Sequence, residues 1–250
     1  MPYFDFEGKK VYYDSFGSGS PLILLHGNSV SSKMFDSESI FYSKYYKVYL
    51  IDYPGHGRSE RIESFPNDFW FYNSRAVEKL IENENLNDIF IIGTSGGALV
   101  GLNVCANLKG KVRKSIFDSF FGLRIELELA QKIYESRKRA KKQILASSFW
   151  MSQHGNDWGS IVDMDLEMLV NVAKNNHPVI YGNLNEIDCP ILLTGSHQDE
   201  LIPDMKRRLE EVAQKIPGSE IFMSNAGKHP LMITQKRLFR KISLEFFINN

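Results

Sequence analysis

The chain is short of every feature that would take it out of the ordinary run of globular proteins. It has two cysteines in 250 residues, Cys105 and Cys189, both among apolar neighbours. That is too few for a disulfide framework, and two buried thiols in a reducing compartment are expected. No apolar run approaches the length of a membrane span. The opening Met1-Pro2-Tyr3-Phe4-Asp5-Phe6 has neither a basic stretch nor a long apolar core. No secretory leader is therefore expected, and the cytoplasm is the expected location. Charge of one sign is not in excess: 30 basic and 30 acidic residues cancel. Nucleic acid and membrane are accordingly not expected as partners. The H-E-x-x-H pattern, clustered cysteine pairs and a phosphate-cradling glycine loop are missing, so no metal or cofactor is expected.

What is present suits one α/β core with an insertion. Tyr3 to Asp14 reads as an antiparallel hairpin around Gly8-Lys9-Lys10. Pro21–Leu25, Val48–Ile51, Ile89–Ile92, Val112–Phe117, Pro190–Gly195 and Glu220–Met223 read as strands. Helices are expected near Met34–Tyr42, Asn67–Glu84, Gly96–Leu108, Asp204–Lys215 and Gln235–Asn249. Apolar strands alternating with amphipathic helices predict a mostly parallel sheet covered on both faces. From Phe121 to Glu186 the alternation stops, and helical stretches are expected at Ile125–Ser147 and Asp165–Asn175.

The chemistry concentrates at Gly93-Thr94-Ser95-Gly96-Gly97, directly behind the strand pattern Ile89–Ile92 and ahead of a helical segment. A G-x-S-x-G string between strand and helix is the context of a nucleophile elbow. Glycines clear room for the sharp turn, and the helix head favours developing negative charge. A serine hydroxyl needs a base, and the base needs an oriented acid. Of six histidines, His229 follows the end of a strand pattern, in Asn225-Ala226-Gly227-Lys228-His229-Pro230. Asp199 follows another, in Ser196-His197-Gln198-Asp199-Glu200. A parallel sheet would gather Ser95, Asp199 and His229 at one edge. Asp118, at the end of the sixth strand, is the alternative acid. For an oxyanion, donors are expected from Gly96 and from Asn28, in His26-Gly27-Asn28-Ser29 behind the strand Pro21–Leu25. Asn28 could use its N–H and also its side chain. His26 reads as a structural histidine beneath the site.

These segments, together with Asp52-Tyr53-Pro54-Gly55-His56-Gly57-Arg58-Ser59, resemble the α/β-hydrolase superfamily. The likeness is to its small cap-bearing branch of esterases, lipases and carbon–carbon bond hydrolases, and spans roughly Val11 to Phe247. The resemblance implies a core of residues 1–120 and 187–250 and a helical cap, 121–186, inserted after the sixth strand. His56 and Arg58 are expected to brace their loop. Trp150, Met151 and Trp158, with Phe149, are candidates to line a substrate pocket; packing of cap on core is the competing reading of each. The basic run Arg137-Lys138-Arg139-Ala140-Lys141-Lys142 reads as a solvated helix face, with attraction of an acidic substrate as the alternative. His154 and His177 read as solvent-exposed, with contact to substrate as the alternative, and His197 as loop packing.

The expected function is cleavage of a small-to-medium carboxylic ester through a Ser-His-Asp triad and an acyl-enzyme, with a small-molecule acyl substrate. Amide, thioester or carbon–carbon bond cleavage could run on the same groups. A binding protein that keeps the fold without catalysis is the reading of a different class. Oligomeric state and substrate are open from the sequence.

Overall fold

A computed structural model of the chain describes residues 2–248. Its strands are β1 (Tyr3–Phe6), β2 (Lys9–Phe16), β3 (Pro21–Leu25), β4 (Lys47–Ile51), β5 (Ile89–Thr94), β6 (Val112–Asp118), β7 (Ile191–Ser196) and β8 (Glu220–Ser224). They form one sheet in the order β1-β2-β4-β3-β5-β6-β7-β8. β2 runs antiparallel to β1 and β4, and β3 to β8 are parallel throughout. Both faces are buried, and alternate residues serve opposite faces. Ile23, Leu25, Tyr49, Ile51 and Ile91 join one apolar cluster, while Leu22, Leu24, Val48, Leu50 and Ile92 join the other. Each such side chain, withdrawn fully from water, contributes about 1.5–3 kcal/mol.

The helices are α1 (Asp36–Tyr42), α2 (Phe69–Asn83), α3 (Gly96–Asn107), α4 (Leu127–Ala140), α5 (Ile144–His154), α6 (Trp158–Lys174), α7 (Met205–Ala213), α8 (Leu231–Thr234) and α9 (Lys236–Ile248). Helix α2 buries Phe69, Trp70, Asn73, Ala76, Val77 and Leu80, a stripe at three- and four-residue spacing. Helix α3 is buried on all sides from Gly96 to Ala106, as befits the element between the nucleophile-elbow motif and the sheet. The last residue of the helix expected at Gln235–Asn249 lies outside the described residues. No helix among the described residues is long and apolar enough to cross a membrane.

Between β6 and β7 the three helices α4, α5 and α6 form a helical segment of their own. The single stretch expected at Ile125–Ser147 is divided at Lys141–Gln143, and the unassigned span after it is helical too. No breaker residue sits at the division; packing makes it. Lys141 Nζ donates to the Gly159 carbonyl at 3.0 Å and pairs with Asp163, while the Trp150 and Trp158 rings stack 5.8 Å apart. Gly155, at φ 90°, ends α5 and lets the chain turn into α6. The chain rejoins the core before β7: Asn103 of α3 donates to the Val179 carbonyl and accepts from the Tyr181 N–H.

Candidate active site

Strand β5 delivers Ser95 to the carboxyl edge of the sheet. Its N–H donates to the Asp118 carbonyl at 2.7 Å, extending the β5–β6 ladder by one residue. Ser95 stands at φ 54°, ψ −123°, a backbone region costly for a residue with a side chain and held only by its surroundings. Those surroundings demand glycine on both sides. A Cβ on Gly93 would lie 2.3 Å from the Gly97 carbonyl oxygen, and one on Gly97 would lie 2.1 Å from that of Leu25.

The loops after β7 and β8 bring Asp199 and His229 to this turn. His229 Nε2 lies 3.0 Å from Ser95 Oγ, and His229 Nδ1 lies 2.9 Å from Asp199 Oδ2. The other carboxylate oxygen of Asp199 accepts the Leu201 and Ile202 N–H groups at 3.0 and 2.8 Å. With both oxygens engaged, the acid cannot swing away from the imidazole. The His229 N–H in turn donates to Glu200 Oε2 at 3.1 Å. Such a chain can carry a proton away from the serine oxygen and hold the resulting imidazolium.

Asp118 is fully buried beneath this chain and faces other partners. Its Oδ1 accepts from Thr194 Oγ1 and Ser119 Oγ, and its Oδ2 from Thr94 Oγ1 and the Met232 N–H. The carboxyl thus ties the ends of β5, β6 and β7 to α8 and has no hydrogen bond to spare for His229. Burial pushes it up to about 6, against the pull of the Met232 N–H and the threonines.

The backbone N–H groups of Asn28 and Gly96, residues that border one cavity with Ser95, donate to no group among the described residues. The Asn28 side chain is already committed: Oδ1 accepts from Trp70 Nε1 at 3.1 Å, and Nδ2 donates to Asp165 Oδ1 at 2.6 Å. The Asn28 backbone N–H is thus unengaged, and Nδ2 keeps the second of its two hydrogens beyond the bond to Asp165. His26 Nε2 accepts from the Tyr53 N–H and Nδ1 faces the Gly27 carbonyl, so the ring braces two loops. Burial brings it down to about 4.

Ser95, Asn28 and Gly96 border a cavity of about 20 Å³, with Phe121, Ile133, Arg137, Leu169, Leu201 and Ile202. That is room for about one water molecule. Trp150, Met151 and Trp158 are not among these neighbours. Trp150 is buried against Trp158, the Trp158 ring is covered by Lys141, and Met151 and Phe149 are exposed on the outer side of α5. Helices α4 and α6 supply the wall instead, because α5 packs on the far loops 31–33 and 55–61. There the Ser31 N–H and Oγ donate to Gln153 Oε1, and Lys33 Nζ to the Ser152 carbonyl.

Of two further side chains at the site, Asp165 was not singled out from the sequence and Arg137 was read only as part of the basic run 137–142. Arg137, taken for part of a solvated face, turns inward: Nη1 donates to Ser29 Oγ at 2.6 Å and to Asp165 Oδ2 at 3.1 Å. Asp165 is fully buried and also accepts from Ser29 Oγ and Asn28. The apolar stripe Ile133, Leu129, Ala130 of α4 could have revealed that Arg137 continues its buried face. His154 is likewise buried rather than exposed: Nδ1 accepts the Gly57 N–H at 3.0 Å and Nε2 faces the Ser29 carbonyl at 3.1 Å. His197 is exposed, and its backbone N–H donates to the Ser224 carbonyl. His56 stacks on Phe65, and Arg58 pairs with Asp52 at 2.9 Å. Among the described residues no group of three or more histidine, cysteine, aspartate or glutamate side chains could hold a metal ion.

The sheet order, the strand-to-helix turn at Ser95 and the loops that meet it define an α/β-hydrolase. The chain matches the alpha/beta hydrolase family over residues 22–240 and belongs to it. It is 31% identical over 112 residues to a non-heme haloperoxidase of Rhodococcus erythropolis, covering 44% of this chain and 40% of that protein. It is 39% identical over 110 residues to a pimeloyl-(acyl-carrier protein) methyl ester esterase of Nitrosospira multiformis, covering 44% of this chain and 41% of that one. The chain therefore spans about two fifths of the length of these curated relatives. Among solved structures, an esterase from Exiguobacterium antarcticum superposes with a TM-score of 0.75 at 19% identity, covering 96% of both chains. At that identity the likeness speaks for the fold. The family is thereby shown, and the activity, bond and substrate are taken up next.

Proposed function

We propose that the protein is a serine hydrolase that cleaves a small-to-medium carboxylic ester through an acyl-enzyme. The observation that carries this reading is the continuous pair of hydrogen bonds from Ser95 Oγ through His229 to Asp199, 3.0 and 2.9 Å long. His229 Nε2 takes the Ser95 proton as Oγ attacks the ester carbonyl. The carbonyl oxygen becomes an oxyanion, and the Asn28 and Gly96 N–H groups are its donors. The tetrahedral species collapses, His229 passes its proton to the departing alkoxide, and the acyl group stays on Ser95. A water deprotonated by the same imidazole then releases the acid. Each oxyanion donor is worth about two to three orders of magnitude in rate. The esterases among the similar proteins favour an ester over an amide, thioester or carbon–carbon bond.

In this reading the helical segment is a lid. With room at Ser95 for about one water, a substrate enters only when α4 and α6 shift relative to the loop of Leu201 and Ile202, and closure then excludes solvent. A fluorophosphonate probe tests the chemistry directly. Labelling that disappears in Ser95→Ala is expected; a wild-type protein that never labels and cleaves no ester would leave a binding protein as the reading.

A further inference from the structure

The wall of the Ser95 cavity contributed by the helical segment and neighbouring loops is apolar, Phe121, Ile133, Leu169, Leu201 and Ile202, apart from one guanidinium, Arg137. A cation in such a wall needs partners, and the way this one is partnered differs from that of Arg208, Arg61 and Arg240. Arg208 spends Nε on the Pro203 carbonyl and grips Glu126 with both terminal nitrogens. Arg61 and Arg240 each hold a carboxylate through the side-on fork of Nε and Nη2. That fork is the edge that matches a carboxylate in two parallel hydrogen bonds. Arg137 pairs with Asp165 through Nη1 alone, which also donates to Ser29 Oγ. Its Nε and Nη2 donate to no group among the described residues, although the side chain is only 19% exposed. Asp165 does not supply the missing acceptor. One of its oxygens is taken by Asn28 Nδ2 and the other by Ser29 Oγ and Arg137 Nη1. The Asp165 contact therefore fixes the arginine in place and leaves its carboxylate-matching edge unpaired beside the nucleophile-bearing cavity.

We propose that Arg137 recognises a carboxylate carried by the substrate, so that the natural ester is the monoester of a small dicarboxylic acid or an ester of a hydroxy acid. The inference rests on the reading of Ser95 as nucleophile and adds the charge of the substrate to it. The anion displaces whatever water serves the fork and pairs with an arginine already held in place by Asp165 and Ser29. An uncharged ester covering this edge would strip its water and offer no matching acceptor, which opposes its binding.

The test is a ratio of kcat/KM values for charged and uncharged esters on the purified chain. Monomethyl succinate and glutarate are compared with methyl levulinate for a carboxylate on the acyl side. O-acetyl glycolate is compared with ethyl acetate for one on the alcohol side. Wild type should prefer the charged member in one arm. Arg137→Met paired with Asp165→Asn, which removes both charges together, should reduce that preference about ten- to a hundredfold. Arg137→Lys keeps the charge without the fork and should fall between. One reading needs no variant: succinate or glutarate should slow fluorophosphonate labelling of wild-type Ser95, and succinamide should not. Labelling of Ser95 with no charge preference in either arm, or a preference that both variants retain, overturns the role of Arg137 while the hydrolase reading stands. Absence of labelling removes the hydrolase reading itself.

Discussion

The sheet edge and the helical segment above it hold their polar groups in different ways. At the edge, partners come from strand ends set side by side by register: Thr94 faces Asp118, Asp118 faces Thr194, and the Ser95 N–H continues the ladder. In the helical segment the polar groups reach loops more than 90 residues away in sequence: Gln153 to Ser31, His154 to Gly57, Arg137 to Ser29. The edge is therefore fixed as soon as the sheet forms, whereas the segment's contacts exist only once it is seated. Chemistry that tolerates little displacement belongs on the first kind of framework, and recognition that must open and close on the second.

The largest expected effect tests the edge. Ser95→Ala removes one oxygen and should cost about four to six orders of magnitude in kcat with the fold intact. Steady-state kinetics and circular dichroism on the same preparation check both halves. Near-wild-type turnover would move the nucleophile elsewhere.

Next come the two carboxyls at strand ends, Asp199 as the expected acid and Asp118 as its alternative. Asp199→Asn should lower kcat by about four orders of magnitude through loss of the histidine's tautomer and imidazolium support. Asp118→Asn should leave kcat within about tenfold yet cost about 1–3 kcal/mol of stability, since an amide N–H₂ would face groups that all donate. Kinetics and urea unfolding of both variants decide it. The reverse ranking of kcat would make Asp118 the acid.

That contrast shows what could be read from the chain alone. Strand ends carry local signals, an apolar run followed by glycine, serine or aspartate, so the sheet, the elbow at Ser95 and the loops of Asp199 and His229 were legible. The four donors around Asp118 come from β5, β7, the residue after β6 and α8, and their meeting follows from register. The helical segment was legible as helical but not in its folding. Gly155 marked one turn; the turn at Lys141–Gln143 depends on Gly159, Asp163 and the stacked tryptophans. The inward Arg137 was hidden inside a run of exposed Lys138, Arg139 and Lys142, where charge count suggested solvent and only helical phase said otherwise.

A smaller effect concerns pH. His26, His56 and His154 are all held below their ordinary range by burial, His26 at about 4. A group with a lowered folded value lends stability above its unfolded value, about 6.5, and loses it as pH falls. Asp118 has the opposite sign: raised to about 6, it lends stability at low pH that is lost as pH rises through that value. Between pH 6.5 and 4 the three histidines oppose the one carboxyl. Unfolding free energy should therefore decline on acidification, and more steeply in Asp118→Asn, where the opposing group is gone. Urea titrations across this range measure the slopes, and equal slopes in the two proteins would dissociate Asp118 from the pH dependence.

The smallest effect on rate sharpens the division inside the helical segment. Leu169 of α6 and Ile133 of α4 border the Ser95 cavity, whereas Trp150 packs against Trp158 away from it. Shortening Leu169 to Ala opens space where acyl carbons would lie, and should change the ratio of kcat/KM between a longer and a shorter ester by about tenfold. Trp150→Ala removes far more volume but none of it from that wall. It should lower the melting temperature, in line with about 3–5 kcal/mol for a buried tryptophan, and move every ester by the same factor. A length-dependent change in Trp150→Ala, with none in Leu169→Ala, would mean that the lid opens along α5 and that the pocket used in catalysis is a different one from the cavity seen when it is closed.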